Sequence, residues 1–190
     1  MRTLQFKIQI QDIQKPPVWR RVLVPAQITF DLFHQIIQVV FGWEDCHLYQ
    51  FSKSGWSSEV VYKIPDEYDD DQTNQDSRTT FLSEVFTIAK QTFAYIYDFG
   101  DNWKHHIVLE EISDAGKAVP ACLAGKGACP PEDCGGIPGY YNLIETLSNP
   151  KHPEYKEMKK WLGLKKDEQW DVNAFDIIAV NENLKQLNYS

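Results

Sequence analysis

The stretch from Phe93 to Ile112 limits the fold more than any other part of this chain. Phe93, Tyr95, Tyr97 and Phe99 alternate with other residues, the period-two signal of a strand with one packed face. Trp103 to Ile112 gives a return arm, β-rich through Ile107, Val108, Leu109 and Ile112. Between the arms, Phe99-Gly100-Asp101-Asn102 supplies turn chemistry, because Gly and Asn tolerate positive φ and Asp bonds its own backbone. The expectation is a β-hairpin that carries Asp98, Asp101, His105 and His106 within one short span.

Around it the chain alternates between strand and helix periods. Leu4, Phe6, Ile8 and Ile10 alternate with Gln5, Lys7 and Gln9, a half-buried strand with one wet face. Gln14-Lys15-Pro16-Pro17 breaks it, and Val18 to Val24 reads as its hairpin partner, ended by Pro25. Phe33, Ile36, Ile37 and Val40 then fall on one face of a helix over 30–41, with Thr29 or Asp31 as cap and Gly42 at its end. After a turn at Trp43 to His47, Leu48 to Phe51 opens a third strand, with Trp56 to Ile64 as its partner. Residues 65–78 have no periodicity and cluster carboxylates, which predicts a solvated, mobile acidic loop. Its spacing lacks the Gly and terminal Glu of an EF-hand calcium loop. Thr80 to Val85 predicts a short helix. The Gly- and Pro-rich run 119–139 predicts a structured loop without regular elements.

The tail, 138–190, predicts three helices. Tyr140, Leu143, Ile144 and Leu147 mark the first, stopped at Asn149-Pro150. Tyr155, Met158, Trp161 and Leu162 mark the inward side of the second, and Phe175, Ile178 and Val180 to Leu187 the third, with Asp171 or Asn173 as cap. At 190 residues, 43% of them hydrophobic, the chain is expected to form one α+β domain over 1–190. The expected architecture is a mixed or antiparallel sheet with a β-grasp-like N-terminal half and packed helices.

A net charge of −8 and a pI near 5.1 disfavour a broad electrostatic footprint on nucleic acid, which needs clustered Lys and Arg, though a local basic patch is compatible with them. The strand pattern begins at the first residues, so no signal peptide is expected, and no apolar run approaches the ~20 residues of a membrane span. The expectation is a cytoplasmic protein with no membrane partner, whose four Cys are thiols or ligands rather than disulfides.

Three constellations could carry chemistry. Cys122, Cys129 and Cys134 with His47 (or His105 or His106) would make a closed Cys₃His zinc site. Their intervals of six and four residues are not the knuckle spacing of structural zinc, and Pro130-Pro131 gives the loop a rigidity of its own. Asp98, Asp101, Glu132 and Asp133, with His47 or His105, are the oxygen and imidazole groups of a magnesium-dependent phosphodiesterase or nuclease. The competing reading makes these acids turn and cap residues. Aromatics with Arg could line a binding cleft, the candidates being Trp19, Arg21, Trp43, His47 and Trp103, or they could be core. Trp19 and Arg21 share one strand face, opposite Val18, Arg20 and Val22. There is no phosphate-cradling GxGxxG or P-loop and no nucleophile elbow.

Tyr95-Ile-Tyr-Asp-Phe-Gly-Asp-Asn-Trp-Lys-His-His-Ile107, Gly127-Ala-Cys-Pro-Pro-Glu-Asp-Cys-Gly-Gly136 and Gly139-Tyr140 resemble the plasmid pRiA4b ORF-3-like family. Pro17-Val-Trp-Arg-Arg21, Gly42-Trp43, His47 to Phe51 and Pro150 to Pro153 resemble it too, so the likeness spans nearly the whole chain. The resemblance implies an α+β fold. Some members resemble accessory proteins of mobile elements labelled resolvase-like, which implies a DNA-related role with nucleic acid or protein as partner. The expected function is a binding or accessory module. The alternative is a metal-dependent phosphodiester hydrolase using Asp98, Asp101, His105, Glu132 and Asp133, with zinc or magnesium as the ion. A hydrolase requires the carboxylates to converge in one open cleft. A binding module predicts that they are separated and bonded to backbone amides.

Overall fold

A computed structural model describes residues 1–65, 73–114, 119–187 and 189. Eight strands form one sheet: β1 (Thr3–Ile10), β2 (Trp19–Pro25), β3 (Tyr49–Ser52), β4 (Val61–Lys63), β5 (Gln75–Asp76), β6 (Thr92–Tyr97), β7 (Trp103–Ser113) and β8 (Ala121–Lys126). Their order across the sheet is β5-β4-β3-β6-β7-β1-β2-β8. The neighbours run antiparallel except β4 and β5, so the sheet is mixed and the α+β class holds. The helices are α1 (Phe30–Phe41), α2 (Leu82–Val85), α3 (Gly136–Ser148), α4 (Tyr155–Trp161) and α5 (Ile177–Leu184). Among the described residues no helix is long and apolar enough to cross a membrane.

The predicted hairpin is β6–β7, and it sits at the middle of the sheet. Tyr95 pairs with His105 and Tyr97 with Trp103, while β3 flanks β6 and β1 flanks β7. Strand alternation puts Phe93, Tyr95, Tyr97, Trp103, His105, Ile107 and Leu109 on the buried face. His106 faces solvent instead. Phe99, which the alternation places on the packed face and the turn signal at the tip, lies past the strand end at the turn and is exposed.

α1 covers the packed face. Its Phe33, Ile36, Ile37 and Val40 meet the buried side chains Leu4, Phe6, Ile8 and Ile10 of β1 in one core, with the Phe6 and Phe33 rings 4.9 Å apart. Each such burial stabilises the fold by about 1.5–3 kcal/mol. The hydroxyl of Thr29 accepts from the Leu32 amide at 3.2 Å, which caps the helix. Gly42 takes a left-handed φ of 90° and closes its end.

Arg20 joins this layer to the far sheet edge. It lies on the buried side of β2, and its Nε donates to the Val40 carbonyl at 2.7 Å. Its Nη atoms donate to the carbonyls of Trp19, Lys126 and Gly127. Val40 is in the last turn of α1, where the helix dipole favours a cation. Desolvation pulls the guanidinium pKa below its ordinary value.

Four expectations require correction. The run 119–139 is not free of regular structure, since β8 pairs with the edge of β2. Small residues and Gly125 hid this strand from a propensity reading. A Cβ on Gly125 would lie 2.6 Å from the Phe175 ring and 2.9 Å from the Arg20 side chain, so packing dictates glycine there. The second tail helix has no buried residue, and Trp161 is half exposed rather than inward. The third is capped by Asp176, whose side chain accepts from the amides of Ile178 and Ala179, not by Asp171 or Asn173. Of the acidic loop 65–78, residues 66–72 lie outside the described residues, and 75–76 form β5.

Candidate metal centre

Three segments meet at one end of the hairpin. His47 follows α1 on the turn into β3, Asp98 follows β6, and Glu132 and Asp133 lie on the loop before α3. The His47 Nε2 stands 3.3 Å from Asp133 Oδ1, 3.8 Å from Asp98 Oδ2 and 3.8 Å from Glu132 Oε2. Two ligands held by one ion at about 2.0–2.3 Å in tetrahedral geometry stand roughly 3.3–3.8 Å apart, the range of the three His47–carboxylate separations. His47, Asp98 and Asp133 offer ligand atoms all within 4.8 Å of one another, and so do Cys46, His47 and Glu132.

The local bonding leaves one atom of each inner group unspent. The Glu132 Oε1 accepts from the Tyr97 hydroxyl and from the Glu44 amide, both at 2.9 Å. Its Oε2 is buried with no hydrogen-bond partner. The Asp98 Oδ1 accepts from the Gly100 amide at 2.9 Å, which turns Oδ2 toward His47. The His47 Nε2 is likewise buried without a hydrogen-bond partner. A polar atom left so costs about 1–3 kcal/mol unless something fills the place. Charge argues in the same direction. Among the described residues no Lys or Arg forms an ion pair with Asp98, Glu132 or Asp133, so at most one imidazolium faces three carboxylates. Asp98 and Asp133 also hold left-handed backbone, at φ 53° and 54°. Such a conformation costs roughly 1 kcal/mol and is often found where side-chain placement matters.

Residues 2–179 match the family described as plasmid pRiA4b ORF-3-like protein. The chain belongs to this family. It is similar to the "Uncharacterized protein y4hQ" of Sinorhizobium fredii (strain NBRC 101917 / NGR234), at 36% identity over 97% of this chain and 91% of the relative. It is also similar to the crystal structure of a protein of unknown function, MM3350 from Methanosarcina mazei Go1. That likeness has a TM-score of 0.77 and 36% identity, and covers 93% of this chain and 96% of the other.

The two long segments that carry the likeness to the plasmid pRiA4b ORF-3-like family are those that meet here. Asp101, expected beside Asp98, is a tether instead: its Oδ2 accepts from the Gly135 amide at 3.1 Å. Gly136 has φ 67°, and a Cβ on it would lie 2.8 Å from the Asp101 carbonyl oxygen, so the Gly-Gly pair lets the loop touch the hairpin tip. His105 stands apart from the cluster, inside the core. Its Nδ1 faces the carbonyls of Trp103 at 2.9 Å and Tyr95 at 3.3 Å, which can only accept, so Nδ1 holds the proton. Burial pushes its pKa down to about 3.

The thiolate proposal fares differently from the acidic one. Cys122, Cys129 and Cys134 form no ligand group with His47 among the described residues. The Cys122 thiol donates to the Ala124 carbonyl, and burial raises its pKa and that of Cys129. Burial pushes Cys134 up to about 12. Trp43 and Trp103 are buried in the core. The Trp43 Nε1 donates to the Pro130 carbonyl at 3.0 Å, which fixes the loop that bears Glu132. Trp19 and Arg21 lie on the opposite, open face of the sheet, 5.4 Å apart from guanidinium to ring.

Sequence reasoning missed three supporting groups. Tyr97 reads as a core aromatic, yet its hydroxyl holds Glu132. Glu44 acts through its backbone, which has no sequence signal. Cys46 reads as part of a plain turn, yet it is exposed and adjoins the centre. A cavity of about 190 Å³ opens beside His47, lined in part by Leu48, Tyr49, Ile64 and Phe99.

Proposed function

We propose that the protein is a divalent-metal-dependent hydrolase, with His47, Asp98 and Asp133 as ligands and Glu132 beside them on the other side of His47. The observation that carries this reading is the buried, unpartnered His47 Nε2 facing three carboxylates at 3.3–3.8 Å. One imidazole with two carboxylates suits zinc or manganese better than magnesium, which keeps more water and prefers oxygen alone. The Asp133 side chain is 75% exposed, so the centre is open on that side to water and substrate. A cation so held acts as a Lewis acid and lowers the pKa of its water toward 7. Tyr97 and the Glu44 amide fix Glu132, and the Gly100 amide fixes Asp98, so the carboxylates need little reorganisation. Phosphodiester hydrolysis is the reaction class most consistent with such a donor set.

The test is titration calorimetry of Mn²⁺ and Zn²⁺ into tag-free protein, with hydrolysis of bis(p-nitrophenyl) phosphate read in parallel. One equivalent should bind, and Glu132→Gln or His47→Ala should weaken binding about ten- to a hundred-fold and abolish turnover. Metal affinity indifferent to both substitutions would remove the proposal.

A second reading, a nucleic-acid-binding accessory module, draws support from Trp19. Its ring has the Lys7 ammonium 5.3 Å and the Arg21 guanidinium 5.4 Å from its centre on the open sheet face. Aromatic and cationic groups together can stack single-stranded bases.

A further inference from the structure

We propose that the cavity on the far side of Asp133 seats a positively charged organic group of the substrate, an amine or guanidine. In naming a substrate this rests on the hydrolase reading; the seat itself does not. The cavity holds about 370 Å³ and lies between α3 with its preceding loop and α4. Its walls include the carboxylates of Asp133, Glu154 and Glu157 and the apolar side chains of Leu143, Met158 and Trp161. None of its lining residues is basic. Glu154 and Glu157 form no ion pair among the described residues.

Trp161 is the second observation. It is 50% exposed on a helix with no buried residue, so core packing does not account for it. An exposed indole on a concave wall beside carboxylates is the arrangement that attracts a cation, through the ring face and through charge-assisted hydrogen bonds. The volume is within the usual range of small-molecule sites, about 300–1,000 Å³. Asp133 lines this cavity and also faces His47, so a cationic group seated here would stand one side chain from the metal centre. The remote charge would then orient the reacting bond, the use to which binding energy away from the chemistry is put.

The experiment is calorimetry on the full chain with agmatine as the cationic probe and pentylurea as its uncharged counterpart, with and without Mn²⁺. Agmatine is expected to bind at one site, and Glu157→Gln and Trp161→Ala each to weaken it about ten-fold. Neither substitution should alter Mn²⁺ affinity. Both side chains are exposed, so unchanged thermal melts are expected to confirm intact folds. Absence of agmatine binding, binding unaffected by both substitutions, or equal binding of pentylurea would overturn the proposal. Agmatine binding in a chain that takes up no metal would sustain the seat while removing the hydrolase reading, and metal uptake without agmatine binding would do the reverse.

Discussion

His105 makes the stability of this protein depend on pH in a calculable way. The ring is buried and neutral, with its Nδ1 proton held by the carbonyls of Trp103 and Tyr95 and with Nε2 unpartnered. Its folded pKa is about 3, against about 6.5 when the chain is unfolded. Below pH 6.5 the unfolded state takes up a proton that the folded state refuses, so acid favours unfolding. The stabilisation is complete above pH 6.5 and is lost at about 1.4 kcal/mol per pH unit as pH falls toward 3. Between pH 7 and 4.5 this amounts to about 2–3 kcal/mol. The assay is urea denaturation followed by tryptophan fluorescence, on the wild type and His105→Gln, at both pH values. Gln keeps a donor for the two carbonyls but does not titrate. At pH 7 the variant should be the less stable by about 1–3 kcal/mol, and at pH 4.5 the gap should close or reverse. Carboxylates titrate alike in both proteins and cancel in the difference. Two parallel stability curves would show that His105 is not held neutral in the core, and the reasoning would fail.

Two more outcomes follow from the same geometry. Replacing Cys122, Cys129 and Cys134 by Ser, one at a time, should leave metal stoichiometry unchanged, and in the native protein a thiol reagent should label Cys46 first, because it is the exposed thiol; loss of metal on any of the three changes would revive the thiolate site. If the open sheet face binds single-stranded DNA, fluorescence anisotropy with a labelled oligonucleotide should show affinity that falls with salt and drops about ten-fold in Trp19→Ala; no salt-sensitive binding would leave the accessory-module reading without support.

Much of the sheet could be read in the sequence, because alternation in Leu4 to Ile10 and Phe93 to Tyr97 follows directly from burial of one face. α1 was equally legible, with Thr29 and Gly42 at its ends. β8 was not, because its pairing comes from the free edge of β2 rather than from its own residues. The site was legible as residue types and not as an assembly. Asp98, Glu132, Asp133 and His47 all stand out by chemistry, but which of them converge depends on long-range pairing. The same motif that offers Asp98 also offers Asp101 and His105. Strand alternation sends His105 into the core, and the turn geometry sends Asp101 to the Gly135 amide. Asp98, at the last residue before the turn, keeps one oxygen for Gly100 and one for the centre. The choice between turn residue and ligand was therefore not exclusive. A carboxylate has two oxygens, and at Asp98 and Glu132 an amide bond to one of them is what aims the other.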